Sequence, residues 1–141
     1  MEGIRTRSLK QSRVFKATPH EVYEMLMGSD RHSMFLGDRG SISRRRGGRF
    51  SVYGGWITGS NLKLSRDREI VQRWREYDWP EGHYSVVRLK LERNGFGTKL
   101  ILSHTGIPEG AYESTSAIWK DHYWRRMAAA FGFWAGLKRF S

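Results

Sequence analysis

Apolar residues change their spacing several times along this chain, and each change marks an element. From Thr6 to Lys16 a mostly polar run carries Leu9, Val14 and Phe15, which predicts a first strand ending at Ala17-Thr18-Pro19. Thr18, Pro19 and Glu21 occupy the positions of a helix cap, a first helical residue and a capping-box partner, so a helix is predicted to begin there. Val22, Met25 and Leu26 form its apolar stripe, Gly28-Ser29-Asp30 ends it, and a second short helical turn is expected from His32 to Leu36.

Beyond Gly47-Gly48 the period shortens to two. Arg49 to Tyr53, a Gly54-Gly55 turn and Trp56 to Leu64 read as an antiparallel hairpin. Glu69 to Tyr77 places Ile70, Gln72 and Trp74 on one face and Val71, Arg73 and Arg75 on the other. Tyr84 to Glu92 groups Val87, Leu89 and Leu91, and Thr98 to Thr105 groups Leu100, Leu102 and His104, with Asn94-Gly95 and Gly97 turning between them. Strands with one apolar and one charged side predict an antiparallel meander buried on one side.

From Glu113 to Trp134 the period becomes helical, with Trp119, Tyr123, Met127, Ala130 and Trp134 in one stripe. About 22 residues give a helix ~33 Å long, enough to cross a sheet. The order of elements predicts an α+β fold, one antiparallel sheet packed on one long terminal helix.

Length and charge then narrow the possibilities. The chain has 141 residues, 38% of them hydrophobic, which suits one domain spanning 1–141. Cysteine is absent, which excludes disulfides, thiolate metal ligands and a cysteine nucleophile. No apolar run reaches the ~18 residues of a membrane helix, and charges fill the first 16 residues, so no membrane association and a cytoplasmic location are expected. The net charge of +11 favours acidic partners. Its densest knot is Arg44-Arg45-Arg46, with Arg49 close behind; this is either a phosphate-binding patch or a solvated loop. With no nucleic-acid motif beside it, the loop is the preferred reading and nucleic acid is not an expected partner.

Several motifs together resemble the activators of the heat-shock protein 90 ATPase. They are Ile70-Val71-Gln72-Arg73-Trp74-Arg75 followed by Trp79-Pro80-Glu81-Gly82-His83-Tyr84, Thr98-Lys99-Leu100, Gly106-Ile107-Pro108, Trp119-Lys120-Asp121-His122-Tyr123-Trp124, and Phe131-Gly132-Phe133 with Phe140. Ala17-Thr18-Pro19 and Gly47-Gly48-Arg49-Phe50 with Gly59 fit the same template. The resemblance is to the C-terminal domain of those activators. It implies a helix-grip fold of the START-like superfamily: two short helices after the first strand, and a curved antiparallel sheet around the long C-terminal helix. It also implies a non-enzymatic, co-chaperone-like module whose partner is a heat-shock protein 90-type chaperone. The eukaryotic activators carry a separate N-terminal domain with no counterpart in this sequence, so weak stimulation by this chain alone is expected.

Two sets of residues are candidates for function. Trp79 and Glu81, on a Pro-Gly turn between strands, and Arg44, Arg45 and Arg46 are candidates for partner binding; Trp79 serves equally well as a plug closing the end of the core. Trp56, Trp74, Tyr84, His104, Trp119, Tyr123 and Met127 are candidates for lining a cavity for a small hydrophobic ligand, or else they fill an aromatic core in which His104 is hydrogen-bonded. His83, His104 and His122 are widely separated and no paired-carboxylate motif stands out, so neither a catalytic site, a metal site nor a cofactor is expected.

Overall fold

A computed structural model describes residues 4–139 of the chain, with side chains described through residue 132. Trp134, Phe133 and Phe140 of the predicted stripe and C-terminal motif lie outside the described side chains. Strand β1 (Thr6–Phe15) leads into helices α1 (Pro19–Met27) and α2 (Ser29–Leu36), then strands β2 (Ser41–Ile42), β3 (Arg49–Val52), β4 (Ile57–Ser65), β5 (Glu69–Glu76), β6 (Ser85–Asn94) and β7 (Gly97–Pro108). All seven strands form one antiparallel sheet in the order β1-β7-β6-β5-β4-β3-β2, so the only non-sequential neighbour is the first strand, which returns beside the last.

The helix that crosses this sheet has three contiguous parts: α3 (Tyr112–Ala117), a π-helical stretch (Ile118–Trp124) and α4 (Arg125–Arg139). The wider π winding turns Trp119, Tyr123 and Trp124 all inward, although an α-helix places neighbours such as 123 and 124 about 100° apart. The rings of Trp74 and Trp119 stack with centroids 5.5 Å apart, and those of Trp119 and Trp124 at 5.2 Å, so three indoles run from strand β5 into the helix. Trp124 Nε1 donates to Gln11 Oε1 at 2.6 Å, and Gln11 Nε2 donates to Ser116 Oγ at 3.3 Å, which fastens the same helix to the edge strand β1. No helix among the described residues is long and apolar enough to cross a membrane.

The local signals act as their chemistry requires. Thr18 Oγ1 accepts from the Glu21 backbone N–H and Glu21 Oε1 accepts from the Thr18 N–H, a complete capping box ahead of Pro19. Gly59 lies so close to β5 and to the Phe50 ring that an added Cβ would overlap the Arg73 carbonyl oxygen, which excludes any larger residue there. On the concave face Leu89, Leu100, Leu102 and Ile107 are buried against Trp119, Tyr123 and Met127, as the two periodicities predict.

The predicted hairpin forms, with β3 and β4 antiparallel from Arg49 opposite Ser60 to Val52 opposite Ile57, but its turn is wider than the Gly54-Gly55 pair. Tyr53–Gly55 forms a single 3₁₀ turn with three successive positive φ angles, and β4 starts only at Ile57. Trp56 therefore sits on the corner, outside the concave face.

Candidate functional site

Three places bear on function: the interior under the helix, a pocket at one end of the grip, and the basic outer surface. In the interior, His104 is fully buried on β7. Trp119 Nε1 donates to His104 Nδ1 at 3.0 Å, leaving the ring proton on Nε2, which donates to Ser85 Oγ at 2.6 Å; Ser85 in turn donates to the Trp74 carbonyl at 3.2 Å. In this relay both ring nitrogens of His104 are satisfied with the imidazole neutral, and burial pushes its pKa down to about 3. His104 is thus a hydrogen-bonded core residue. Met127 is fully buried as well.

Trp74, Trp119 and Tyr123 meet His32, Leu26 and Met27 around a void of only about 20 Å³. That volume holds a single water, not an organic ligand. His32 Nε2 lies 2.9 Å from the Tyr123 hydroxyl, its Nδ1 is buried without a hydrogen-bond partner among the described residues, and burial lowers its pKa to about 4. His32 was not singled out by the sequence pattern; its position one turn before Phe35 on a short helix is its only signal.

Two predicted cavity residues lie elsewhere. Tyr84 is 41% exposed, with the Arg73 guanidinium 4.3 Å above its ring. The reason is parity: with Val87 and Leu89 inward, Ser85 points inward and Tyr84 outward. Trp56 is 38% exposed and lines a separate pocket of about 280 Å³ with Tyr53, Ile57, Glu76, Asp78, Ser114, Ile118 and His122. Trp56 Nε1 donates to Glu76 Oε1 at 3.3 Å, and Thr115 Oγ1 donates to Glu76 Oε2 at 2.5 Å. Burial raises the Glu76 pKa; the two hydrogen bonds oppose the rise and the charge of Asp78 adds to it. Glu76 follows Ile70, Gln72 and Trp74 in period two, so its inward direction was readable; its charge hid it.

On the outer surface the predicted partner-binding residues separate. Trp79 is 4% exposed, with its ring 6.0 Å from that of Trp74 and 6.4 Å from that of His104, so it closes the end of the core and is not presented as a surface anchor. The turn around it is held by Arg75, whose guanidinium donates to the carbonyls of Trp79 at 2.8 Å and of His83 at 3.3 Å, and also to that of Pro80. Glu81 is exposed at the tip of this turn.

Arg44, Arg45 and Arg46 are exposed as expected, yet their loop is held firmly from below. Asn61, buried on β4, donates through Nδ2 to the carbonyls of Ser43 at 2.7 Å and Arg45 at 3.0 Å, while Gln72 donates to its Oδ1 at 3.0 Å. Arg44 pairs with Glu24 at 2.6 Å, leaving Arg45 and Arg46 as the freer charges. The outward positions of the sheet are also basic: Lys10, Arg49, Lys63, Arg73, Arg88 and Lys90 are all exposed, with Glu69 paired to Lys63 and Arg88 among them.

This architecture has relatives. The sequence profile of the family described as "Activator of Hsp90 ATPase homolog 1-like protein" matches residues 16–132. The chain belongs to that family. Among its relatives, the activator of 90 kDa heat shock protein ATPase homolog 1 of Homo sapiens is 29% identical over 135 residues, covering 95% of this chain and 40% of the human protein. The corresponding homolog of Dictyostelium discoideum is 31% identical over 129 residues, covering 91% of this chain and 34% of its own. The chain thus spans less than half the length of these activators. In three dimensions it is similar to an HSP90 activator from Plasmodium falciparum, with a TM-score of 0.85 at 22% identity, over 92% of this chain and 97% of that one. The helix-grip fold is thereby shown for this family member.

Proposed function

We propose that this chain is a binding module for a heat-shock protein 90-type chaperone, acting through its basic outer surface and not as a catalyst. The observation that carries this reading is the ordered presentation of Arg45 and Arg46 on a loop pinned by Asn61. A pre-ordered positive surface suits an acidic partner because it steers encounter without a large ordering cost on binding. Membership in a family whose relatives are named as activators of this ATPase supports a chaperone of this kind as the partner. The reading assigns this chain binding, with weak stimulation of the ATPase by itself.

The other reading, a carrier or sensor of a small hydrophobic ligand held between sheet and helix, draws on the aromatic lining but meets an interior void of about 20 Å³. A pull-down with the host's heat-shock protein 90, repeated at raised salt, tests the first reading: capture at low salt that weakens as salt screens the basic surface supports it. Absence of capture at low salt removes it. Solvent extraction of the purified chain followed by mass spectrometry tests the second, and a stoichiometric lipid or metabolite would put it first.

A further inference from the structure

The pocket at the end of the grip has a chemistry unlike the rest of the molecule. The chain carries 25 Lys and Arg against 14 Asp and Glu, yet the described residues lining this pocket include two carboxylates and no Lys or Arg. Glu76 is only 2% exposed, and among the described residues it has no ion-pair partner; its oxygens meet only the neutral donors Thr115 and Trp56. A buried carboxylate left without a cation is costly, and it is rare unless something else compensates for it. Asp78, exposed at the rim, is likewise in no ion pair or hydrogen bond among the described residues.

The walls add a second kind of contact. Trp56 presents a partly exposed indole, steadied edge-on against Tyr77 with centroids 4.2 Å apart. Tyr53 is held at φ 56°, a left-handed conformation uncommon for a residue with a side chain, and its ring meets that of His122 at 5.2 Å. His122 Nδ1 is buried with no hydrogen-bond partner among the described residues, and His122 and Ile118, both on the π-helical stretch, line this wall. Carboxylates beneath, indole and phenol rings at the sides and an unused ring nitrogen make up the chemistry that recognises an organic cation with an apolar body.

We propose that the pocket formed by Tyr53, Trp56, Glu76, Asp78 and His122 binds a small organic cation, an ammonium or amidinium group carried on an apolar or aromatic body. The cationic head pairs with Glu76 and Asp78, and the body lies against the Trp56 and Tyr53 rings. Its volume of about 280 Å³ sets the size class, close to the lower end of small-molecule sites. The site is distinct from the basic surface assigned to the chaperone, so either assignment stands without the other. A purely structural role for Glu76, tying β5 to α3 through Thr115, makes a different prediction, because it requires no ligand.

The test is a titration of the isotope-labelled full chain with benzylamine, a cation at neutral pH, beside the neutral benzyl alcohol, followed by the Trp56 indole N–H resonance and the backbone amides of Tyr53 and His122. The expected result is saturable shifts confined to this pocket, with benzylammonium bound at least about tenfold more tightly than benzyl alcohol. Glu76→Gln, close in shape, is expected to weaken the cation by about tenfold or more and to leave benzyl alcohol unchanged. Should that buried change unfold the chain, Asp78→Asn at the exposed rim is expected to weaken the cation several-fold in a folded protein. Equal binding of the two probes, no saturable shift, or unchanged affinity in folded variants would overturn the proposal.

Discussion

The indole N–H of Trp119 is donated to Nδ1 of His104 at 3.0 Å, with both residues buried. Because an indole nitrogen only donates, this bond fixes the imidazole as the neutral Nε2–H tautomer, and it joins the middle of β7 to the π-helical stretch. Protonating His104 would set two donors against each other across that bond. Packing of the helix on the sheet and the charge state of one side chain are therefore coupled.

Acid should unfold the protein through this coupling. Burial holds the His104 pKa at about 3 and that of His32 at about 4, whereas both titrate near 6.5 in the unfolded chain. Between pH 6.5 and those folded values the unfolded state binds more protons, so stability falls as pH drops through that window and is flat above it. Glu76, whose raised pKa favours proton uptake by the folded state, opposes the loss over its own range. A net loss on the order of several kcal/mol is expected, read from urea unfolding between pH 8 and 4. His32→Phe should make the acid limb shallower. Equal stability at pH 7 and 4.5 would contradict the neutral, buried assignment of both histidines.

Trp79→Ala is expected to act on folding. Its ring packs on Trp74 and His104 with almost no exposure, so truncation should cost ~3 kcal/mol or more, while Tyr84→Ala on the outer face costs less than about 1 kcal/mol. Thermal melts of the two variants make the comparison. A Trp79→Ala variant as stable as the parent would return Trp79 to the list of surface anchors.

How far these residues could be read from the sequence depends on the range of the interaction that places them. The cap at Thr18, the period-two strand faces and the Trp119 stripe follow from nearest neighbours along one element, and each appears where its pattern puts it. Tyr84 was legible in principle, since counting back by twos from Val87 reaches Ser85. Trp56 was not, because the three positive φ angles that carry it round the corner are a property of the Tyr53–Gly55 turn as a whole. Trp79 depends on Arg75 gathering the carbonyls of a turn up to eight residues away, and Asn61 on a loop 16 to 18 residues earlier. A polar residue at an inward strand position signals such a bond, but its partner comes from tertiary structure.

Asn61→Ala tests whether order in the arginine loop matters. It deletes the donors to the Ser43 and Arg45 carbonyls and leaves Gln72 Nε2 without its acceptor. A stability loss of about 1–3 kcal/mol is expected, with faster amide exchange from Ser43 to Gly48. If the loop docks on the partner, association should slow although no charge has been removed. Unchanged exchange across the loop would show that Asn61 does not hold it.

Binding of a heat-shock protein 90-type chaperone through a basic, pre-ordered surface, as proposed, has a kinetic signature. The most direct measurement is surface plasmon resonance of the wild-type chain and the Arg44→Ser, Arg45→Ser, Arg46→Ser triple variant over the immobilised chaperone at low and physiological salt. Saturable wild-type binding is expected, with an association rate that falls as salt rises. The triple variant should associate more slowly, with a weaker salt dependence and a nearly unchanged dissociation rate. No wild-type binding at low salt, or identical association of the two proteins, would contradict it.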